Sequence, residues 1–259
     1  MKKHFTKWLV TKFYSGKNKA YSSDLISRRI HKSKFMSSAW KVKYVGQNKM
    51  DMEIAKYLNW ENGYFIELGA SDGIKFSNTL HLDLYHGWKG VLIEPSPIEF
   101  QKLIRNRSKR NSFVNCACVE KSFKDDTLEL IYSGLMTIDM NHKLGIEYPE
   151  DHAKIGSEFI DVETYRFEVK ASTLTDVLVE CNSPSEIDFL SLDVEGSELN
   201  VLNGLDFNFF TIKYILIETR EKETIERYLL SFSYHLVAKL SDQDFLFEKH
   251  LKLDIIPSS

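Results

Sequence analysis

Cysteine is scarce in this 259-residue sequence, which has three: Cys116, Cys118 and Cys181. Cys116-Ala117-Cys118 is too tightly spaced for an ordinary disulfide or a CxxC site, and no zinc pattern is present. A disulfide framework is excluded, and a reducing, cytoplasmic setting is expected. Long apolar runs are also missing. None approaches the roughly 20 residues needed to span a bilayer, and Lys7 and Lys12 interrupt the amino end, so no secretory signal is expected. There is no collagen period and no repeat at solenoid spacing. What is present, 43% hydrophobic and 27% charged residues, is too apolar for intrinsic disorder and fits one large or two small globular domains.

The net charge of -3 hides an asymmetry. Residues 1–43 hold twelve Lys or Arg and one acid, Asp24, whereas the rest of the chain is strongly acidic. Such an arm suits a phosphate-bearing substrate, an anionic membrane surface or nucleic acid. It equally suits docking on the acidic body of its own chain or of a second subunit in a homodimer. Residues 1–46 are read as a basic arm and 47–259 as the main domain.

Within that domain, short apolar runs alternate with helical patterns. Strands are expected at Tyr64 to Leu68, Gly90 to Glu94, Ser112 to Val119, Ile187 to Val194 and Tyr214 to Glu218. Helices are expected over Gln47 to Leu58, Ile98 to Arg107, Thr173 to Glu180 and Glu198 to Leu202. This alternation implies an α/β fold with a doubly wound, mostly parallel sheet. Tyr234 to Leu240 and Phe245 to His250, flanking Ser241-Asp242-Gln243-Asp244, add a C-terminal antiparallel hairpin. Residues 121–170 break the alternation and are read as an acceptor-side insertion, with strand near Tyr165 to Val169.

In an open α/β sheet, ligands bind beyond the carboxyl ends of the strands. The first such end reads Glu67-Leu68-Gly69-Ala70-Ser71-Asp72-Gly73. Its small residues allow close approach of a ligand, but the middle glycine of G-x-G-x-x-G is absent, and Glu67 would repel a pyrophosphate. Glu94 lies 21 residues after Gly73, near the spacing at which an acid grips ribose hydroxyls. A nucleoside ligand without a pyrophosphate but with a cationic amino acid portion is S-adenosylmethionine.

Phe65-Ile66-Glu67-Leu68-Gly69-Ala70-Ser71-Asp72-Gly73, Val91-Leu92-Ile93-Glu94-Pro95-Ser96-Pro97 and Leu192-Asp193-Val194-Glu195-Gly196-Ser197-Glu198 together resemble the FkbM family of S-adenosylmethionine-dependent methyltransferases. Ser77-Asn78-Thr79 and Gly87-Trp88-Lys89-Gly90 are similar to one branch of it. The resemblance covers Gln47 to Arg220 and implies a Rossmann-like class I methyltransferase fold. It implies that Glu67, Gly69 and Asp72, within the loop that includes Ala70 and Gly73, surround the methionine end of the cofactor. Glu94 would bind the ribose, while Pro95 and Ser96, with Asn115, Cys116 and Ala117, would meet the adenine. Gln47 and Asn78 would reach the cofactor's carboxylate or amino group.

The resemblance further implies O-methylation of sugars in surface glycans, or of secondary metabolites. A sugar hydroxyl is a weak acid and needs a general base or a metal ion. Two readings follow. In one, Asp193 is the base, supported by Glu195 and by a histidine such as His142 or His152. In the other, Asp193 and Glu218 are ligands of Mg²⁺ or Mn²⁺. The expected acceptor is a small molecule or glycan precursor bearing phosphate, such as a nucleotide sugar. Acceptors of other classes (a phosphate-like group, a lipid, RNA) and a non-catalytic adapter are the alternatives. The arm has no recognisable RNA module, and the fourth strand lacks an N-P-P-Y type of motif, which argues against nucleic acid. Intact Glu67, Asp72, Glu94 and Asp193 argue against a degenerate site.

Overall fold

The computed structural model describes residues 44–139, 149–160 and 162–250. Seven strands form the main sheet: β1 (Tyr64–Leu68), β2 (Lys89–Ile93), β3 (Ser112–Val114), β8 (Glu186–Leu192), β9 (Thr211–Glu218), β10 (Tyr234–Lys239) and β11 (Asp244–Lys249). Their order is β10-β11-β9-β8-β1-β2-β3. All neighbours pair in parallel except β11, which runs antiparallel to both β9 and β10. This is the doubly wound α/β sheet with a C-terminal hairpin that the alternation implied.

The apolar runs are continuous because both faces of the sheet are covered. Ile66, Leu68, Ile93, Leu190, Leu192 and Ile215 pack into one core, while Phe65, Leu92, Phe189 and Leu216 pack into the other. Successive residues of one strand therefore serve opposite cores.

Short helices connect the strands: α1 (Met50–Ile54), α2 (Leu80–Tyr85), α3 (Pro97–Asn106), α5 (Leu174–Glu180), α6 (Glu198–Asn203) and α7 (Lys222–Leu230), with α4 (Pro149–Ile160) preceding α5 in the chain. Helix α3 starts on the Ser96 cap with Pro97 at its first position, and α5 starts where Thr173 Oγ1 accepts the Asp176 N–H at 3.1 Å. The helix expected over Gln47 to Leu58 is shorter: a 3-10 turn (Gln47–Lys49) with Asn48 at φ 51° and Lys49 at φ 61° precedes α1.

One expectation is corrected. The strand expected from Ser112 to Val119 is two strands in different sheets, β3 and β4 (Ala117–Val119). The break comes where Asn115 Nδ2 donates to the carbonyls of Glu94 (2.8 Å) and Pro95 (2.9 Å), bending the chain across the end of β2. The segment read as an insertion with strand near Tyr165 to Val169 contributes to a second sheet, ordered β4-β7-β5-β6, with β5 (Thr127–Tyr132), β6 (Ile138–Asp139) and β7 (Tyr165–Thr173). Helix α4 packs on it, with Ala153 against Ile131 and Ile138.

Candidate active site

The strand ends lie flush. Leu68 pairs with Ile93 on one side and with Leu192 on the other, and Leu192 pairs with Ile217. The next residue of each strand, Gly69, Glu94, Asp193 and Glu218, therefore falls along one edge of the sheet. These four residues line a cleft whose atom-free space, open solvent at its mouth included, is 1230 Å³. The second sheet forms its facing wall through Leu128, Leu130 and the turn Gly134–Met136.

Gly69 makes this edge possible. Its φ is +75°, and a Cβ there would lie 2.0 Å from the Asp193 carbonyl oxygen. Only a residue without a side chain lets β1 and β8 end this close together. The loop then turns under Asp72, whose Oδ1 accepts the N–H groups of Ile74 (2.9 Å) and Lys75 (2.8 Å).

Glu67 is nearly enclosed, at 4% exposure. Its oxygens accept from Ser77 Oγ, the Asn78 N–H, Thr79 Oγ1 (2.7 Å) and Arg107 Nη1 (3.1 Å). Arg107, fully buried, also reaches Asp83 Oδ2 at 3.2 Å and Thr79 Oγ1 at 3.0 Å. Much of the hydrogen-bonding capacity of Glu67 is thus used to hold residues 77–79 beside the cleft. There Asn78 donates Nδ2 to Ser191 Oγ at 3.1 Å, while its buried Oδ1 has no hydrogen-bond partner among the described residues.

Glu94 lies at the opposite end of the cleft floor. Its two oxygens accept the N–H groups of Ser71 and Ser96, each at 2.8 Å. Burial nevertheless pushes its carboxyl up to about 7, because two neutral donors do not replace the lost hydration of a full charge.

Beyond the sheet edge, the chain leaves β8 through Asp193 and Val194 and turns sharply at Glu195 (φ 51°) and Gly196 (φ 102°). Glu198 braces the turn from below, its Oε1 accepting the Gly196 N–H at 2.8 Å, and burial pushes its carboxyl to about 7. Glu195 Oε2 lies 3.0 Å from His152 Nε2 on α4 and 3.4 Å from Arg220 Nη2 after β9. Burial alone would lower Arg220, but Glu195, Glu218 and Glu198 outweigh it and raise it above its usual range.

Of the residues singled out in the sequence, Glu67, Gly69, Ala70, Asn78, Glu94, Pro95, Cys116, Ala117, Asp193, Glu195 and Glu218 line the cleft. Gln47, Asp72, Gly73, Ser96 and Asn115 do not; they sit behind it or beside it. His142 and residues 1–43 lie outside the described residues. Sequence reasoning missed Ser71, Lys75, Phe76 and Ser191, which also line the cleft, and Arg107 and Arg220, which hold its carboxylates. Gln47 is one residue from Gly46, which bridges to the cleft residue Phe76, and its buried Nε2 has no hydrogen-bond partner.

Asp193 and Glu218, the pair read as metal ligands, both line the cleft; among the described residues no group of three His, Cys, Asp or Glu side chains is placed to hold a metal ion. Among the described residues, no helix is long and apolar enough to cross a membrane.

Residues 67–247 match the model of the methyltransferase FkbM domain. The chain is 28% identical over 181 residues to methyltransferase sdnD of Sordaria araneosa, covering 63% of this chain and 69% of that protein. Among solved structures, it is similar to methyltransferase FkbM from Methylobacillus flagellatus (16% identity, TM-score 0.43), with 72% of this chain covered. It spans only 43% of that longer chain. A methyltransferase from Pyrococcus furiosus is similar over 88% of this chain and 96% of its own, at 14% identity and a TM-score of 0.42.

Proposed function

The chain belongs to the FkbM methyltransferase domain family, and from that premise we propose that it transfers a methyl group from S-adenosylmethionine to a sugar hydroxyl of a nucleotide sugar or surface-glycan precursor. The observation that carries this reading is the pair of unsatisfied or half-satisfied acceptors on one cleft floor. Asn78 Oδ1 has no partner, and each Glu94 oxygen accepts a single backbone N–H. Both types of acceptor suit a ligand with an ammonium at one end and ribose hydroxyls at the other.

When bound, S-adenosylmethionine supplies a methyl group already activated on a sulfonium. The chain's own residues bind, orient and deprotonate. Glu94 accepts from the ribose hydroxyls. Asn78 Oδ1 accepts from the ammonium. Glu67 acts one step behind, fixing Asn78 through its main-chain N–H at 2.9 Å. Pro95, Cys116 and Ala117 offer a mostly apolar surface to the adenine.

Asp193 is the base. It follows β8 on the same edge as Glu94 and takes the proton from the acceptor hydroxyl as the oxygen attacks in line. No step is assigned to a metal. The wall built from β5, the Gly134–Met136 turn and β6 is the acceptor side, where Leu135 and Met136 shield the reaction from water and Thr137 and Asp139 offer hydrogen bonds to a polyol.

The cleft's charge refines the acceptor. Glu67, Glu94, Asp139, Asp193, Glu195 and Glu218 line it, with Lys75 the basic residue among the described lining. A phosphate would be repelled from that interior. In this reading the sugar enters, and any phosphate stays at the mouth. The experiment is a pair of measurements: calorimetric binding of S-adenosylhomocysteine, then labelled methyl transfer to a panel of nucleotide sugars. Absence of cofactor binding would refute the reading.

A further inference from the structure

Three separated parts of the chain meet at one oxygen. Glu195 Oε2 lies 3.0 Å from Nε2 of His152, which is 43 residues away in sequence, and 3.4 Å from Nη2 of Arg220. All three side chains are largely shielded, at 2% exposure for His152, 13% for Glu195 and 14% for Arg220. An ionised carboxylate only accepts, so the His152 proton in this contact sits on Nε2.

That assignment leaves His152 Nδ1 buried without a hydrogen-bond partner among the described residues. An unsatisfied buried acceptor is unfavourable, and an apolar residue would avoid it. The histidine sits in α4, buried at 2% exposure. Its neighbour Ala153 already joins the Ile131–Ile138 cluster, and Gly156 allows contact with the turn at Ser133 and Met136, where a Cβ would come within 2.9 Å. What the imidazole adds is a directed hydrogen bond to a carboxylate that lines the cleft.

Glu195 needs such direction. Its backbone is left-handed, at φ 51°, a conformation that side chains other than glycine, asparagine and aspartate adopt at a cost. The turn it occupies is braced from below by Glu198, and the carboxylate itself is held from two sides by His152 and Arg220.

We propose that His152 and Arg220 are positioning residues that aim the Glu195 carboxylate at the acceptor, so that the second sheet and α4 are a working part of the transfer site. The cofactor end does not depend on them. Glu94, Asn78 and Gly69 are held by β1, β2 and the Arg107 network, which share no hydrogen bond with His152. This inference rests on the methyl-transfer reading above. It predicts that losing the imidazole separates acceptor chemistry from cofactor binding.

The test uses the full chain and the variants His152→Ala, His152→Gln, Glu195→Gln and the double variant His152→Ala/Glu195→Gln. S-adenosylhomocysteine is titrated first. Wild-type protein that fails to bind it overturns the cofactor reading and this inference with it. Where wild type binds, His152→Ala is expected to bind within about threefold of it, while methyl transfer falls about 10- to 100-fold, the scale of a small misplacement of a reacting group. His152→Gln, whose Nε2–H can donate to the same oxygen, is expected to recover part of the rate. Transfer by His152→Ala within about twofold of wild type, or no recovery in His152→Gln, would overturn the proposal.

Thermal unfolding supplies a check that needs no acceptor. The melting shifts of His152→Ala and Glu195→Gln are expected to be non-additive, the double variant unfolding close to the worse single variant. Strict additivity would show that the two residues are not coupled and would also overturn it.

Discussion

Glu94 holds Ser71: its Oε2 accepts the Ser71 N–H at 2.8 Å and ties the end of β2 to the glycine loop that follows β1. The same carboxylate, through Oε1, caps the turn at Ser96. One side chain thus sets the width of the cleft floor and presents its remaining acceptor capacity to whatever binds there. Glu94→Ala is expected to weaken S-adenosylhomocysteine binding by about 2–3 kcal/mol, the scale of hydrogen bonds to a charged group. Calorimetry checks it, and unchanged affinity would refute the ribose assignment.

Cofactor affinity should depend on pH through the same residue. Burial raises the free Glu94 carboxyl to about 7, and the ribose hydroxyls need its ionised form as acceptor. Affinity is therefore expected to rise with pH up to about 7 and level off above it, by at most tenfold per pH unit. In Glu94→Gln this dependence should flatten.

Stability of the unliganded protein moves the opposite way. Glu94 and Glu198 are both raised from 4.5 to about 7. The folded state therefore binds their protons more tightly than the unfolded state does. Their contribution is full below about 4.5 and is lost as pH rises through about 7. The unfolding midpoint from these groups is expected to fall between about pH 4.5 and pH 7 and to level off above that, and to fall less in Glu198→Gln, as read by circular dichroism melts.

Arg107 is the structural centre of the cofactor side. It is buried between Glu67 and Asp83, with Thr79 completing its fork. Arg107→Met leaves Glu67 without its cation and Asp83 with Arg110 alone, whose Nη2 lies 3.1 Å from Asp83 Oδ1, and is expected to cost about 3–5 kcal/mol in denaturant unfolding. A loss under about 1 kcal/mol would mean that water or Arg110 takes over the pairing.

The acceptor side predicts a different pattern. Asp193→Asn is expected to keep cofactor affinity within about threefold and to lower transfer at least about 100-fold, the share of a general base. Transfer by the wild type is expected to persist in EDTA. A rate abolished by EDTA and restored by Mg²⁺ would return Asp193 and Glu218 to the role of ligands.

Local chemistry made much of this legible in the sequence. The strand ends carry their signals within a few residues: Gly69 follows an apolar run, Glu94 ends another, and Pro97 with Ser96 starts a helix. Pairing over long separations did not. Arg107 reaches back 40 residues to Glu67, and His152 reaches forward 43 to Glu195; neither has a local pattern that marks it. The break between β3 and β4 was hidden because Ser112 to Val119 is apolar on both sides of Asn115, and the side-chain hydrogen bonds that bend it are tertiary. The second sheet was partly readable. Thr127–Tyr132 begins with alternating burial, but glycines, Pro149 and polar residues around it resemble a loop.

In the proposed reaction a methyl group is delivered to a sugar oxygen from this cleft. The most direct measurement is transfer of labelled methyl from S-adenosylmethionine to a panel of nucleotide sugars, with the product's methyl position assigned by NMR. The account predicts an O-methylated sugar whose formation is lost in Asp193→Asn and survives EDTA. A labelled methyl on nitrogen, on phosphate or on RNA, or no transfer to any sugar by protein that binds the cofactor, would contradict it.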